Sequence, residues 1–197
     1  MAQLWINMRL SSTFRWQVEG PVLDLVDSAK VIATLAKGDP KVKGDKGWGV
    51  KASHVHVDAS DSGGMGVCDL LARFHQMVVD RVNFGGAVLG DWNYILGRPP
   101  GKLLNRKQEL GWIALRCLQD GRMGIPDREE FGPVIAQMSA VQYHEVGAEN
   151  FRMEKKVKYI ARTGRSSDDF DPVLLALSRV DPGRLRVRTV KTRQRRR

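Results

Sequence analysis

Two acidic clusters set the chemical possibilities of this chain. The first lies in the segment His54–Gly66, where Asp58 stands between an alternating apolar and polar run and a turn rich in serine and glycine. In an α/β sheet, functional side chains collect at the carboxyl ends of strands. A carboxylate there can take a hard cation such as Mg²⁺, which prefers oxygen ligands. A plainer reading stands beside it: Asp58 or Asp61 orders the turn by accepting bonds from backbone N–H groups. The glycines are not followed by the Gly-Lys-Ser/Thr ending of a phosphate loop, so nucleotide binding is not expected. His54 and His56 alternate with Val55 and Val57, which on a strand would put both imidazoles on one side. Without cysteine or further histidine at zinc spacing, they read as outward polar residues of a half-buried strand.

The second cluster is Ser166–Asp171, with carboxylates at Asp168, Asp169 and Asp171. Three such groups in four residues repel one another unless a cation lies among them. Asp171 before Pro172 also has the form of a helix start, with aspartate as cap and proline at the first helical position. Upstream, Lys155, Lys156, Lys158, Arg162 and Arg165 form a basic stretch, which a solvated face would equally produce.

The elements that must position these residues follow from periodicity. Leu4, Ile6 and Met8, then Phe14, Trp16 and Val18, read as two short strands. Val22 through Ala36 keep helical spacing, with Pro21 at the start and Gly38 beyond the end. Strands are expected at His54–Asp58 and Met77–Phe84, flanking a helix with Val67, Leu70, Leu71 and Phe74 on one face. The strongest helix covers Leu103–Leu118, with Leu110, Ile113, Ala114, Cys117 and Leu118 as its buried face. A shorter helix at Glu129–Met138, strands at Val141–Val146 and Phe151–Met153, and an apolar helix at Val173–Leu177 complete the set. Strands alternating with helices indicate an α/β sandwich around a mixed sheet.

Composition narrows the class. The 197 residues are 42% hydrophobic and 27% charged, values of a globular chain. No apolar stretch approaches the length of a membrane span, and the first residues lack a secretory signal pattern. Cys68 and Cys117 fit buried free thiols of a reducing cytoplasm. The net charge is +10, and eight of the basic residues fall between Arg184 and Arg197, with no acids among them. Without that stretch, 24 basic residues face 22 acidic ones. The expected organisation is a domain over 1–183 followed by a disordered basic tail over 184–197. Such a tail suits a polyphosphate partner, because each neutralised phosphate releases counterions.

Taken in order, several segments resemble the C-terminal nuclease domain of phage terminase large subunits, which has the RNase H-like fold. Val57–Leu71 (VDASDSGGMGVCDLL) resembles its strand–aspartate–glycine turn–helix unit, and Val82–Gly86 (VNFGG) its next strand. Asn105–Trp112 (NRKQELGW), Gly124–Asp127 (GIPD), Met153–Lys156 (MEKK) and Arg162–Asp168 running on to Leu177 are similar to further motifs of the family. The match covers residues 14 to 178.

The resemblance implies an RNase H-like three-layer α/β sandwich with a central mixed sheet, here read as lacking its first strand. It implies viral DNA packaging, with a metal-dependent endonuclease cutting concatemeric double-stranded DNA in the bacterial cytoplasm. Two Mg²⁺ or Mn²⁺ ions would activate water and stabilise the leaving oxygen. Asp58 and Asp171 would hold them, with Asp168 as a neighbouring or substitute carboxylate. Lys156 and Arg162, and by charge the tail residues Arg193, Arg195 and Arg196, would contact DNA. The portal, a small terminase subunit and an ATPase domain are the implied partners, and no membrane is. The family's first catalytic aspartate has no counterpart before Glu19, where Asn7 is the polar candidate. The alternative is therefore a catalytically incomplete fragment that binds DNA or packaging partners. In either case Asp58 and one of Asp168 or Asp171 are expected to come together.

Overall fold

The structure is a computed structural model, and it describes residues 2–6, 9–14, 25–90, 102–146, 150–166 and 168–179. Asn7 and the tail from 184 to 197 lie outside the described residues. The class is α/β, as the alternation of elements implies. Among the described residues the strands form three separate two-stranded sheets instead of one continuous sheet.

Two strands, β1 (Ala2–Ile6) and β2 (Arg9–Phe14), pair antiparallel with a register shift at Leu4/Trp5. Helix α1 (Leu25–Lys37) buries Ser28, Ala29, Ala33 and Ala36. These small side chains at helical spacing let it lie close against α2 (Ser62–His75), which buries Val67, Cys68 and Leu71. At Gly66 of α2 a Cβ would meet Leu25 Cδ1 at 2.8 Å, so a side chain there would push the end of Leu25 aside.

Helix α2 is also a crossover. It joins β3 (His56–Asp58) to β4 (Asp80–Val82), which are parallel with His56 opposite Asp80 and Asp58 opposite Val82. A parallel pair requires such a connection, because both carboxyl ends must finish on the same side. The expected strand at Met77–Phe84 thus shortens to Asp80–Val82. His54 falls in a 3-10 turn (Ala52–His54), so it does not alternate with His56 along the strand.

Helix α3 (Arg106–Gln119) begins at Asn105, whose side chain accepts from the Gln108 amide at 3.1 Å. After a 3-10 turn at Glu129–Phe131 come α4 (Gly132–Ala140) and the antiparallel hairpin of β5 (Tyr143–Val146) and β6 (Asn150–Met153). Helices α5 (Lys156–Thr163) and α6 (Asp171–Ala176) close the described chain.

Two apolar clusters result. The first joins α1, α2 and Val79; the second joins Val82 and Phe84 to Leu110, Ile113, Ala114 and Cys117 of α3, Phe131, Val134, Val173, Leu174 and Leu177. The segment Val79–Val82 therefore touches both. Each fully buried Leu, Val or Phe in such a core contributes about 1.5–3 kcal/mol. Cys68 and Cys117 are buried free thiols. Burial pushes the Cys117 thiol up to about 11, which leaves it little thiolate at neutral pH. No helix among the described residues is long and apolar enough to cross a membrane.

One charged pair sits inside the second cluster. Glu109 is fully buried and receives a 2.5 Å bond from Arg106, together with the amides of Leu89 and Gly90. Arg106 in turn donates to the carbonyl of Ser178 at 2.5 Å, beyond the end of α6. Breaking such a pair by removing one partner strands a buried charge, at about 3–5 kcal/mol. Glu109→Ala should lower unfolding stability by that amount in urea titration, and Glu109→Gln by less, since an amide still accepts from Leu89 and Gly90.

Candidate functional site

Asp58 ends β3 and its Oδ1 accepts from the Ser60 amide at 3.0 Å and the Ser60 hydroxyl at 2.5 Å. Among the described residues its other oxygen has no bond. Asp61 is the cap of α2 and accepts from the Gly64 amide at 2.8 Å. Both carboxylates thus order the turn, as the plainer reading held. The glycines serve close approach: a Cβ on Gly64 would fall 1.8 Å from the carbonyl oxygen of Asp58. The start of α2 can lie against Asp58 only without a side chain there.

From Asp58 a chain of polar contacts leads to the second cluster. Ser60 Oγ accepts from the Phe84 amide at 2.8 Å, and the Phe84 carbonyl accepts from the Lys107 amide at 2.9 Å. Lys107 Nζ lies over the Phe84 ring at 5.0 Å and stands 2.8 Å from Asp171 Oδ1. It is not in line for a hydrogen bond, so that oxygen is buried beside a charge and without a donor.

Helix α6 packs along β3. Just past its end, Ser178 Oγ lies 3.0 Å from His56 Nδ1, at the beginning of β3. Asp171, tied through Lys107 to Phe84 just past β4, lies on the side where β3 and β4 finish, as Asp58 does.

The other two carboxylates of the second cluster turn elsewhere. Asp168 accepts from Lys156 at 2.6 Å and from Ser166 at 2.8 Å. Burial would raise its carboxyl, but these bonds and the Lys156 charge outweigh burial and hold it below the ordinary 3.8. Asp169 is buried against Gln137, which donates to it at 2.7 Å and accepts from the Asp169 and Phe170 amides. The repulsion expected among three adjacent acids is thus relieved by three separate partners. Asp171 is the first helical residue and Phe170 the cap, with helical backbone and no side-chain cap bond. Pro172 then takes the second position, which also needs no N–H.

Arg162 donates to the Ala140 carbonyl at 2.5 Å and to the Glu154 carboxylate, tying α5 to the hairpin. Arg193, Arg195 and Arg196 lie outside the described residues. Among the described residues, no group of three or more His, Cys, Asp or Glu side chains is close enough to hold a metal ion. Asp58 and Asp171 share one end, but Lys107 occupies Asp171 and Lys156 occupies Asp168. The described side chains alone do not fit a two-ion centre.

Two residues escaped the sequence reading, Lys107 and Arg152. With Lys155, named there only as part of a basic stretch, they line a cleft of about 310 Å³ together with Asn105, Lys156, Glu154, Tyr159 and Asp171. Helical phase around Asn105 points to Lys107; Arg152 carried no signal beyond its charge. No family model matches the chain, and no curated protein or solved structure is significantly similar to it.

A Ser-His-Asp grouping also occurs away from that cleft. Asp80 Oδ2 lies 2.7 Å from His56 Nδ1, the same nitrogen that Ser178 approaches. A nucleophile relay needs the serine and the acid on opposite ring nitrogens, so this grouping is a latch. Arg179 completes it at 2.5 Å from Asp80 Oδ1. Burial would raise the Asp80 carboxyl, but the bonds from Arg179 and His56 and their charges together hold it below 3.8.

A lowered native value means the latch stabilises above the unfolded carboxyl range and is lost as pH falls through the native one. Asp80→Asn should cost about 1 kcal/mol at pH 7, the scale of a partly exposed ion pair. The difference from the unmodified chain should shrink as unfolding is measured at successively lower pH below about 4.

Proposed function

We propose that this chain is a nuclease-like domain of a DNA-packaging terminase large subunit, built on an RNase H-like plan and acting on concatemeric double-stranded DNA. The observation that carries the reading is the common position of Asp58 and Asp171. They come from distant parts of the chain, and they stand at the end where β3 and β4 finish, the place where α/β folds gather reactive groups. The ordered motif resemblance from 14 to 178 supports the same reading, and the bacterial cytoplasm is its setting. Mg²⁺ or Mn²⁺ would supply an activated water and a charge opposite the leaving oxygen. Asp58 and Asp171 would be the residues facing those ions, the latter already paired with Lys107. The portal, the small subunit and an ATPase domain would be the partners.

A second reading is favoured by the pairing of Asp171 with Lys107 and of Asp168 with Lys156. Two acids already neutralised by lysine attract dications weakly, so the chain would bind DNA without cutting it. In that case the basic residues of 184–197 and Lys156 provide the attraction.

Nicking of supercoiled plasmid in millimolar Mn²⁺ separates the two. The packaging nuclease reading predicts slow nicking that Asp58→Ala and Asp171→Ala each abolish without weakening duplex binding. Duplex binding with no nicking selects the second reading. Nicking that persists at full rate in Asp58→Ala would refute the proposed site.

A further inference from the structure

The cleft beside Asp171 has an electrostatic feature that the cutting of DNA does not explain. Its walls carry four cations, Lys107, Arg152, Lys155 and Lys156, against two acids, Glu154 and Asp171. Lys107 faces Asp171 and Lys156 faces Asp168, while Glu154 is held by Arg162. That pairing leaves Arg152 and Lys155 uncompensated among the described residues.

Arg152 is the more telling of the two. Its Nε is buried and has no hydrogen-bond partner. A buried guanidinium N–H without an acceptor costs about 1–3 kcal/mol or more, and native structures rarely leave one so. The neighbouring helix start has the same bias. α5 begins at Lys155 with no side-chain cap and no acid in its first turn, and Lys155, Lys156 and Lys158 crowd the end that ordinarily favours acids. An anion seated in the cleft would pair with the Arg152 guanidinium, offset the lysines and accept from the free first-turn amides of α5.

We propose that this cleft is a phosphate-binding recess, in which Arg152 and Lys155 grip one phosphate group against the start of α5. Guanidinium suits this ligand because its planar fork matches two phosphate oxygens at once. The volume of about 310 Å³ accommodates a phosphate with part of an attached sugar and does not enclose a duplex. The phosphate can come from a nucleic-acid backbone or from a free phosphate, and the recess is independent of whether Asp58 and Asp171 cut DNA.

The test is amide NMR of the full ¹⁵N-labelled chain, titrated with sodium phosphate at ionic strength held constant with chloride. Saturable shifts of the Val157 and Lys158 amides and of the Arg152 Nε–H are expected. Arg152→Gln should weaken phosphate binding about tenfold or more, the scale of a charge-assisted bond, and Arg152→Lys should recover only part of it. If Arg152→Gln fails to fold, Lys155→Gln, an exposed change, should still weaken binding severalfold. A second arm adds a short DNA duplex and a matching duplex with an uncharged methylphosphonate backbone. Shifts at the same amides with the first duplex alone assign the recess to backbone phosphate; shifts with inorganic phosphate alone assign it to a free phosphate. Linear, non-saturating shifts, unchanged in Arg152→Gln and Lys155→Gln, would overturn the proposal.

Discussion

The buried pair of Arg106 and Glu109 fixes where α3 begins, and the geometry of the site is measured from that point. Glu109 holds the amides of Leu89 and Gly90, and Arg106 holds the carbonyl of Ser178. Backbone bonds from Arg106 to Gly86 and from Lys107 to Phe84 add a direct link to the segment leaving β4. One turn of helix therefore ties together the exit of β4, the loop after it and the end of α6. Burying two charges contributes little net stability by itself. Its effect here is positional: it sets Lys107 between Phe84 and Asp171, and so sets Asp171 relative to Asp58.

The acidic and basic residues around this point are distributed in a consistent way. Each carboxylate of the Asp168–Asp171 stretch has its own partner, and each partner comes from a different element: Lys156 from α5, Gln137 from α4, Lys107 from α3. The acidic stretch is thus a junction that gathers three helices, in addition to any chemistry it performs. The cations of the neighbouring cleft exceed what these acids can balance, with the surplus at Arg152 and Lys155. Under the proposed function, negative charge at Asp58 and Asp171 beside positive charge in the cleft would suit a phosphodiester held in the cleft and approached by cations.

Much of the fold was legible because local patterns agreed with burial. The spacing of Leu110, Ile113, Ala114, Cys117 and Leu118 announces α3; the first four are buried, whereas Leu118, expected on the same face, is exposed in the last turn. The turn chemistry after Asp58 announces the end of β3. Helix α5 was missed although Val157, Ile160 and Ala161 keep helical spacing: the stretch was read for its basic residues, and that apolar stripe does not mark burial, since Val157 and Ile160 are exposed and Tyr159 is the buried residue. The cap of α6 was misassigned because Asp171 before Pro172 has the composition of a cap, whereas Phe170 already has helical backbone angles. The partners of the acidic stretch were hidden for a different reason. Gln137 and Lys107 lie far from it in sequence, and tertiary packing alone brings them near. A single mixed sheet was expected, and the described strands form three pairs instead; strands of three residues such as β3 and β4 carry too few ladder positions to specify wider pairing from sequence.

The central claim is that Asp58 and Asp171 are held at one end of the fold by a continuous path through Ser60, Phe84 and Lys107. Nuclear Overhauser contacts in the labelled chain measure that path directly. The account predicts cross-peaks from the Phe84 amide to the Ser60 β protons, from the Lys107 amide to the Phe84 α proton, and from the Lys107 ε protons to the Asp171 β protons. A Lys107 side chain with contacts to neither Phe84 nor Asp171, in a chain whose α3 is otherwise intact, would contradict it.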